Sequence, residues 1–264
     1  MTITNAQIAG AIEQYAPLSL QEPWDNSGWQ LGNPFAACTG ALICVDASCG
    51  VVDEAVKKGL NLIITHHPLI FHPLKQILTG TNRVSDTVAK AISAGISIYS
   101  CHTAIDNAPN GVSWQIASDL GLCNIRPLAP GHVANSGTGA IGRLPEPMSP
   151  QQLARYIKTA MHTDTVRCST PETAPQKITT LALCGGAGAE FVPPAIAAGA
   201  QAYLTSDTKH NQFTDHANQI FLIDIAHYES ENCTKRIFYH ILTQKFPNFA
   251  AQISESETNP IVYL

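Results

Sequence analysis

The chain of 264 residues has little charge, no clustered cysteines and no long apolar run. Only 13% of its residues are charged and 45% are hydrophobic, a balance that argues against disorder and supports a sizeable core. No apolar run reaches the roughly 20 residues of a membrane span, and the N-terminus lacks the basic and apolar regions of a secretory signal. We therefore expect a cytoplasmic protein with no membrane partner, forming one large domain or two of ordinary size.

Signals for nucleic-acid and triphosphate binding are also missing. With 15 basic and 20 acidic residues the net charge is −5, and no basic stretch stands out, which argues against nucleic acid as the main partner. Neither GxxxxGKS nor GxxxxGKT occurs, so the chain has no Walker loop.

The eight cysteines stand singly, and none belongs to a CxxC pair. Several lie inside apolar strand-like runs, so we expect reduced core thiols rather than disulfides or zinc–thiolate sites. Any metal is then expected to have nitrogen and oxygen ligands. The cysteines are Cys38, Cys44, Cys49, Cys101, Cys123, Cys168, Cys184 and Cys233.

The segment 61–71, NLIITHHPLIF, organises the chain. Its apolar run predicts a short buried strand, and Pro68 predicts that the backbone leaves the sheet just beyond His66 and His67. Sites in open α/β sheets lie beyond such carboxyl ends. Successive strand side chains point to opposite faces, so the imidazoles converge only if the backbone turns or two metals lie side by side. The alternative is one core and one surface histidine.

Strand and helix patterns alternate along the chain, which predicts an α/β fold with a largely parallel sheet. Residues 17–32, with Trp24 and Trp29, predict a loop that is either an aromatic plug over the core or a ligand-facing loop. Strands are predicted within 40–48, 61–67, 96–106, 177–188 and 219–226, and helices at 5–16, 51–58, 84–94, 110–121 and 149–161.

The second half of the chain repeats the first. Residues 192–207, VPPAIAAGAQAYLTSD, align with 52–67, VDEAVKKGLNLIITHH, and the upstream Cys44 and Cys184 also match. We predict an internal duplication of one α/β unit; chance similarity between two apolar stretches is the alternative. The predicted lobes are 1–128 and 149–264, joined by a Gly- and Pro-rich connector at 129–148 and forming one compact unit.

Histidines and carboxylates stand at the predicted strand ends and are candidate metal ligands. Imidazole mixed with carboxylate suits zinc, iron, manganese, cobalt or nickel rather than calcium or magnesium. Because one carboxylate can bridge two ions, five ligands are enough for a dinuclear centre. The candidates are His66, His67, Asp106, His227 and Glu231.

His102 is the candidate catalytic residue, as an outer-shell partner or proton carrier. A histidine bonded within the fold is the alternative. Asp207 ends the strand that matches the paired histidines and is a candidate for the same cleft. Asp46 and Asp224 are interpreted as turn formers and left outside the site.

Six motifs in this order resemble the NGG-interacting-factor-three-like family, whose bacterial members include YbgI-like proteins and are often labelled GTP cyclohydrolase 1 type 2 homologs. The motifs span nearly the whole chain and are WDNSGWQLG, ITHHPLIF, YSCHTAIDNAPNG, LCGGAG, TSDTKH and AHYESE. The resemblance implies two similar α/β lobes, a dinuclear metal site in the cleft between them and a homohexamer. It places the family's metal ligands on His66, His67, Asp106, His227 and Glu231.

The chain departs from the family pattern at two glycines. Ala226 replaces the usual glycine before the C-terminal histidine, and Ser206 replaces the glycine of TGD. Only glycine tolerates positive φ or very close approach. The ligand set is intact, so we expect metal binding to survive and substrate fit to change.

The resemblance implies a metal-dependent hydrolase with two divalent transition metal ions, acting on a nucleotide-like or phosphorylated small molecule. Purine-ring opening of GTP is what the family label suggests, although no motif marks a guanine pocket. One alternative is a non-catalytic metal-binding scaffold or regulatory partner, which would bind metal tightly without turnover. The other is a structural role for the histidines, which would leave the protein without metal.

Overall fold

The computed structural model describes residues 2–264. The chain divides into two compact units, one of residues 2–105 and 234–260 and the other of residues 106–233 and 261–264. These boundaries differ from the predicted lobes at two places: residues 106–128 belong to the second unit, and the C-terminal helix and strand within 234–260 pack into the first. No helix within residues 2–264 combines the length and the apolar character needed to cross a membrane.

A five-stranded sheet forms the centre of the first unit. Its strands are β1 (Gly28–Leu31), β2 (Ala41–Cys44), β3 (Leu62–Thr65), β4 (Ser97–Ser100) and β11 (Ala251–Ile253). Their spatial order is β1-β4-β3-β2-β11, and only the β1–β4 pair is antiparallel. Every residue of β2, β3 and β4 is buried. Strands covered on both faces carry continuous apolar runs, which explains the lack of alternation in the sequence.

In the described part of the chain, four helices cover this sheet, of which the first three lie close to their predicted positions and the fourth, near the C-terminus, was not predicted. They are α1 (Asn5–Tyr15), α2 (Cys49–Lys57), α3 (Arg83–Ser93) and α10 (Thr234–Lys245). Thr4 caps α1 in a capping box with Gln7, while Ser48 and Asn82 cap α2 and α3. These side-chain caps accept from N–H groups that have no intrahelical partner, and they fix where each helix begins.

The predicted strand at 96–106 is too long. It ends at Ser100, and a short helix, α4 (Thr103–Asp106), spans the boundary between the units. The backbone N–H of Thr103 donates to the Asp25 carboxylate at 3.0 Å instead of to a neighbouring strand. Asp106 therefore lies on a helix and not at a strand end. The predicted loop at 17–32 likewise contains a strand, β1.

The second unit has a six-stranded mixed sheet. Its strands are β5 (Cys123–Pro130), β6 (Gly137–Met148), β7 (Arg167–Cys168), β8 (Ile178–Leu183), β9 (Ala202–Thr205) and β10 (Phe221–Asp224), and its helices are α5 (Val112–Asp119), α6 (Pro150–Ala160), α7 (Val192–Ala197), α8 (His210–His216) and α9 (His227–Glu231). The order is β5-β6-β8-β9-β10-β7, with β8, β9 and β10 parallel and the outer pairs antiparallel. The α/β class is confirmed, with parallel strands central in both sheets.

The predicted connector at 129–148 is instead largely strand β6. Pro145 and Pro147 favoured a connector in the prediction because proline interrupts a strand ladder. In the structure they fall between Arg143 and Met148, where the ladder with β8 is interrupted, so the strand accommodates them. Three glycines of the segment, Gly137, Gly139 and Gly142, lie within β6, which is antiparallel to both β5 and β8.

Residues that align between the two halves of the sequence pair in the same way in the two sheets. Ala41 pairs with Leu62 in the first unit, and the aligned Leu181 pairs with Ala202 in the second. The strand that ends in His66 and His67 thus corresponds to the strand that ends in Ser206 and Asp207. This agreement supports the duplication inferred from sequence.

The cysteines are all free thiols, but they are not all in the core. Cys44, Cys101, Cys184 and Cys233 are buried as expected. Cys123 and Cys168 are exposed, because each lies on an outer strand of the second sheet.

Candidate metal-binding site

The backbone turns between the two adjacent histidines of the first unit. The N–H of His67 donates to the Val45 carbonyl at 2.9 Å, and the Thr65 hydroxyl donates to the His67 carbonyl at 2.7 Å. The ring centroids of His66 and His67 lie 5.0 Å apart. Of the sequence alternatives, the structure shows a turn that lets both imidazoles converge.

His102 completes a three-histidine cluster. Its ring centroid lies 5.2 Å from that of His66 and 5.5 Å from that of His67. One nitrogen of each ring lies within 4.8 Å of the others, close enough for a metal-binding group. His102 thus sits beside the paired histidines, as a proton carrier at a metal would require.

The Nδ1 atoms of the paired histidines face oxygen atoms. His66 Nδ1 lies 3.2 Å from the Cys101 carbonyl oxygen, and His67 Nδ1 lies 3.2 Å from Asp46 Oδ2. Burial raises the pKa of Asp46, but the bond to His67 outweighs it, and the pKa of this carboxyl is below its ordinary value. Asp46 is therefore the ionised partner of His67 and not merely a turn former.

Asp25 is the carboxylate partner of His102, as Asp46 is of His67. His102 Nδ1 lies 2.8 Å from Asp25 Oδ1, and the Asp25 side chain is fully buried. Its Oδ2 accepts from the Thr103 hydroxyl at 2.6 Å and the Ser27 hydroxyl at 2.9 Å. Burial raises the pKa of Asp25, but the hydrogen bonds from His102 and Thr103 hold it well below its usual range. A buried, ionised carboxylate thus fixes the orientation of the His102 ring.

Sequence reasoning missed Asp25 and set Asp46 aside. Asp25 follows Trp24 in a loop, and a loop has no periodic pattern from which its contacts in the fold can be predicted. A signal did exist for Asp46, because it follows β2, which is parallel to β3. The carboxyl ends of neighbouring parallel strands share one sheet edge.

The second unit carries a matching histidine–carboxylate arrangement. His227 Nε2 lies 2.9 Å from Glu231 Oε2, since residues four apart on α9 share one helix face. His227 Nδ1 lies 2.7 Å from Asp207 Oδ2. The two nitrogens of one ring are therefore engaged by two carboxylates.

Gly186 makes room for the Glu231 carboxylate. It has φ +67°, and a Cβ at this position would lie 2.1 Å from Glu231 Oε1. Its N–H donates to the Ser230 hydroxyl at 2.9 Å. The glycine-rich LCGGAG turn thus leaves the space that the Glu231 carboxylate of α9 occupies.

Asp106, the remaining predicted ligand, is half-buried on α4. Burial raises the pKa of the Cys184 thiol, and the charges of Asp106 and Glu231 raise it further. Asp106 and Glu231 therefore both lie close enough to the Cys184 thiol, which follows β8, for their charges to act on it.

Of the two residues that depart from the family's glycines, only Ala226 has a positive φ. Its φ of 68° and ψ of 162° fall in a region that only glycine adopts without strain. Ser206 is fully buried, and the positive φ in its motif falls on Asp207, at 53°. Of the two replacements, only Ala226 therefore places a side chain at a strained backbone position.

We expect Ala226→Gly to stabilise the protein by about 1 kcal/mol, because relief of the φ strain exceeds the added entropy of the unfolded chain. Urea unfolding measures the change. Ala197→Gly is the matched control: Ala197 ends the helix α7, so this change is expected to destabilise by up to about 1 kcal/mol. Equal destabilisation by both changes would contradict strain at Ala226.

Comparisons with known proteins agree over nearly the full length. A sequence model of Duf34/NIF3 (NGG1p interacting factor 3) matches residues 3–260. A GTP cyclohydrolase 1 type 2 homolog of Lactococcus lactis is 32% identical over 254 residues, covering 94% of this chain and 95% of that protein. One of Clostridium acetobutylicum is 30% identical over 234 residues, covering 88% and 86%.

A crystal structure of a Staphylococcus aureus hypothetical protein gives the same result at the level of the fold. It superposes with a TM-score of 0.90 at 25% identity and covers 100% of both chains. Because the family match spans both units and all five predicted ligands, the chain belongs to the Duf34/NIF3 (NGG1p interacting factor 3) family.

Proposed function

We propose that this protein is a metal-dependent hydrolase with a dinuclear centre, acting on a nucleotide-like or phosphorylated small molecule. The proposed ligands of two divalent transition metal ions are His66, His67, Asp106, His227 and Glu231. One observation supports this most strongly: each histidine in the two clusters has its Nδ1 held against an oxygen.

The donor set fits such ions. A ring whose Nδ1–H is donated to a carboxylate or carbonyl is held in the tautomer that leaves metal binding to Nε2. Three carboxylates, Asp25, Asp46 and Asp207, serve the rings in this way. Imidazole and carboxylate ligands together favour zinc, iron, manganese, cobalt or nickel.

Different residues of the chain have different roles in the proposed hydrolysis. When bound, divalent ions at such a centre supply Lewis-acid polarisation and a lowered pKa for water. His102 accepts the proton of the attacking water and returns it to the leaving group through Nε2, because Asp25 holds its Nδ1 and stabilises the charged ring. Glu231 and Asp106 contribute negative charge that offsets the charge of the cations.

Elemental analysis after metal-replete expression tests the ligand set. We expect about two ions per chain in the wild type, and a loss of at least about half of the metal in His66→Ala and in Glu231→Gln. His240→Ala, at an exposed position on α10, is the matched control and should keep the full content. Less than one bound transition metal per wild-type chain would refute the metal proposal.

Turnover is tested by screening nucleotides and phosphoesters with the wild type and His66→Ala. A hydrolase should lose activity in the variant in proportion to its metal. Equal residual rates in both proteins would count against catalysis. Tight metal binding without turnover of any compound would instead favour the non-catalytic scaffold.

The resemblance to the family also supports a homohexamer as the working assembly. Light scattering coupled to size-exclusion chromatography measures the mass directly. A monomeric mass at micromolar concentration would refute this part of the proposal.

A further inference from the structure

Two aromatic rings stand beside the histidine cluster of the first unit. The Trp24 and Phe71 ring centroids lie 6.0 Å apart with planes tilted by 58°. Trp24 also lies 6.0 Å from the His102 ring, and Phe71 lies 6.1 Å from it. The aromatic pair therefore borders the residue to which we assign proton transfer.

The pair is exposed although its neighbours are packed. The relative exposure of Trp24 is 60% and that of Phe71 is 39%. In the same loop, Trp29 packs edge-on against the buried Tyr99 at 5.2 Å. The sequence left open whether these tryptophans cover the core or face a ligand. In the structure Trp29 covers the core, whereas Trp24 is exposed to solvent.

Hydrogen bonds lock the two loops that carry these rings. The Asn26 side-chain amide donates to the Ile70 carbonyl at 2.6 Å, and the Ile70 N–H donates to Gln30 Oε1 at 3.0 Å. Gln30 Nε2 donates back to the Asn26 carbonyl at 2.8 Å. Asp25, which follows Trp24, is itself held by His102, so the backbone next to the indole is fixed as well.

We infer that the exposed indole face of Trp24 is the stacking surface for a planar heteroaromatic ring of the substrate, such as a nucleobase. Trp24 and Phe71 contact each other, so no third ring fits between them; the substrate ring lies on the part of the indole that is exposed, and the contact with Phe71 supports the indole. Stacking on an indole is tolerant of base identity. This inference rests on the proposed function, whose substrate class it narrows to ring-bearing compounds.

Binding measurements test the inference independently of turnover. Guanosine 5′-monophosphate and adenosine 5′-monophosphate are the probes, and ribose 5-phosphate is the ringless control. Calorimetry of the metal-replete, full-length protein gives the affinities. We expect Trp24→Leu to weaken both nucleotides by about tenfold and to leave ribose 5-phosphate unchanged, since stacking on an aromatic side chain contributes this much.

Three variants sharpen the comparison. Trp24→Phe keeps an aromatic face and should retain most of the affinity. Phe71→Leu removes the support and should weaken nucleotide binding by a smaller factor. Phe35→Leu is the matched control, because Phe35 is 83% exposed in the same unit, and it should change nothing.

Metal content and mass are measured on every variant. Unchanged metal with weakened nucleotide binding supports stacking, even if no compound is hydrolysed and the proposed activity fails. Equal nucleotide affinity in wild type and Trp24→Leu overturns the inference, as does a wild type that binds nucleotide no better than ribose 5-phosphate. A lowered oligomeric mass without loss of nucleotide affinity would also overturn it, because the exposed Trp24 would then belong to an interface between copies.

Discussion

Gly186→Ala is expected to lower the metal affinity of the protein by about 10- to 100-fold, the range typical when the support of a ligand is removed. The new Cβ would lie 2.1 Å from Glu231 Oε1, which is the far end of a flexible side chain. The carboxylate therefore swings away at little cost to the fold, but it leaves its place beside His227 Nε2. Metal titration monitored by calorimetry measures the loss.

Gly199→Ala separates this effect from backbone strain. Gly199 has φ +82° in the same unit, and nothing lies within 4 Å of a Cβ built there. Both variants should lose about 1 kcal/mol of stability from the left-handed conformation, while only Gly186→Ala should lose metal. Equal metal affinity in the two variants would show that Glu231 is not a ligand.

Glu54→Gln is expected to destabilise the protein by about 2–3 kcal/mol at pH 7, because it removes charge from a carboxylate that several donors share. Glu54 Oε2 accepts from the hydroxyls of Ser254 and Ser256, each at 2.6 Å. Its Oε1 accepts from the Glu255 N–H at 3.0 Å and from Lys58 at 2.8 Å. These bonds fasten the segment after β11 to helix α2.

The pH dependence follows from the direction of the pKa shift. Burial raises the pKa of Glu54, but the hydrogen bonds from Lys58 and Ser254 outweigh it and hold the folded-state pKa far below the ordinary value. The stabilisation is therefore fully present above the unfolded pKa of about 4.3 and is lost as pH falls toward the folded-state pKa. Urea unfolding should show the gap between wild type and variant shrinking below about pH 4.

Glu255→Gln is the control for this experiment. The Glu255 side chain is 84% exposed and lies 3.7 Å from Lys58, so its removal should change stability by less than about 0.5 kcal/mol at any pH. A gap for Glu54→Gln that stays constant down to pH 2 would show that its charge does not stabilise the folded state.

Local signals in the sequence identified the elements that local physics controls. The helices predicted at 5–16 and 149–161 begin where capping boxes at Thr4 and Ser149 fix the starts of α1 and α6, and such cap bonds join residues only three apart. Buried apolar runs marked β2 and β3 because parallel strands are covered on both faces. Residues 129–148 were misjudged because proline and glycine read as a connector, although ladder interruptions accommodate them inside a sheet.

The sequence alone determined the α/β class, the repeated unit, the candidate ligands and the family, since each follows from periodicity or from motifs of contiguous residues. Only the tertiary structure decided which partner holds each histidine. Asp25 reaches His102 across 77 positions, and Glu54 reaches Ser254 across 200. Such contacts depend on where sheet edges and loops meet in space, a relation that no local pattern of residues encodes.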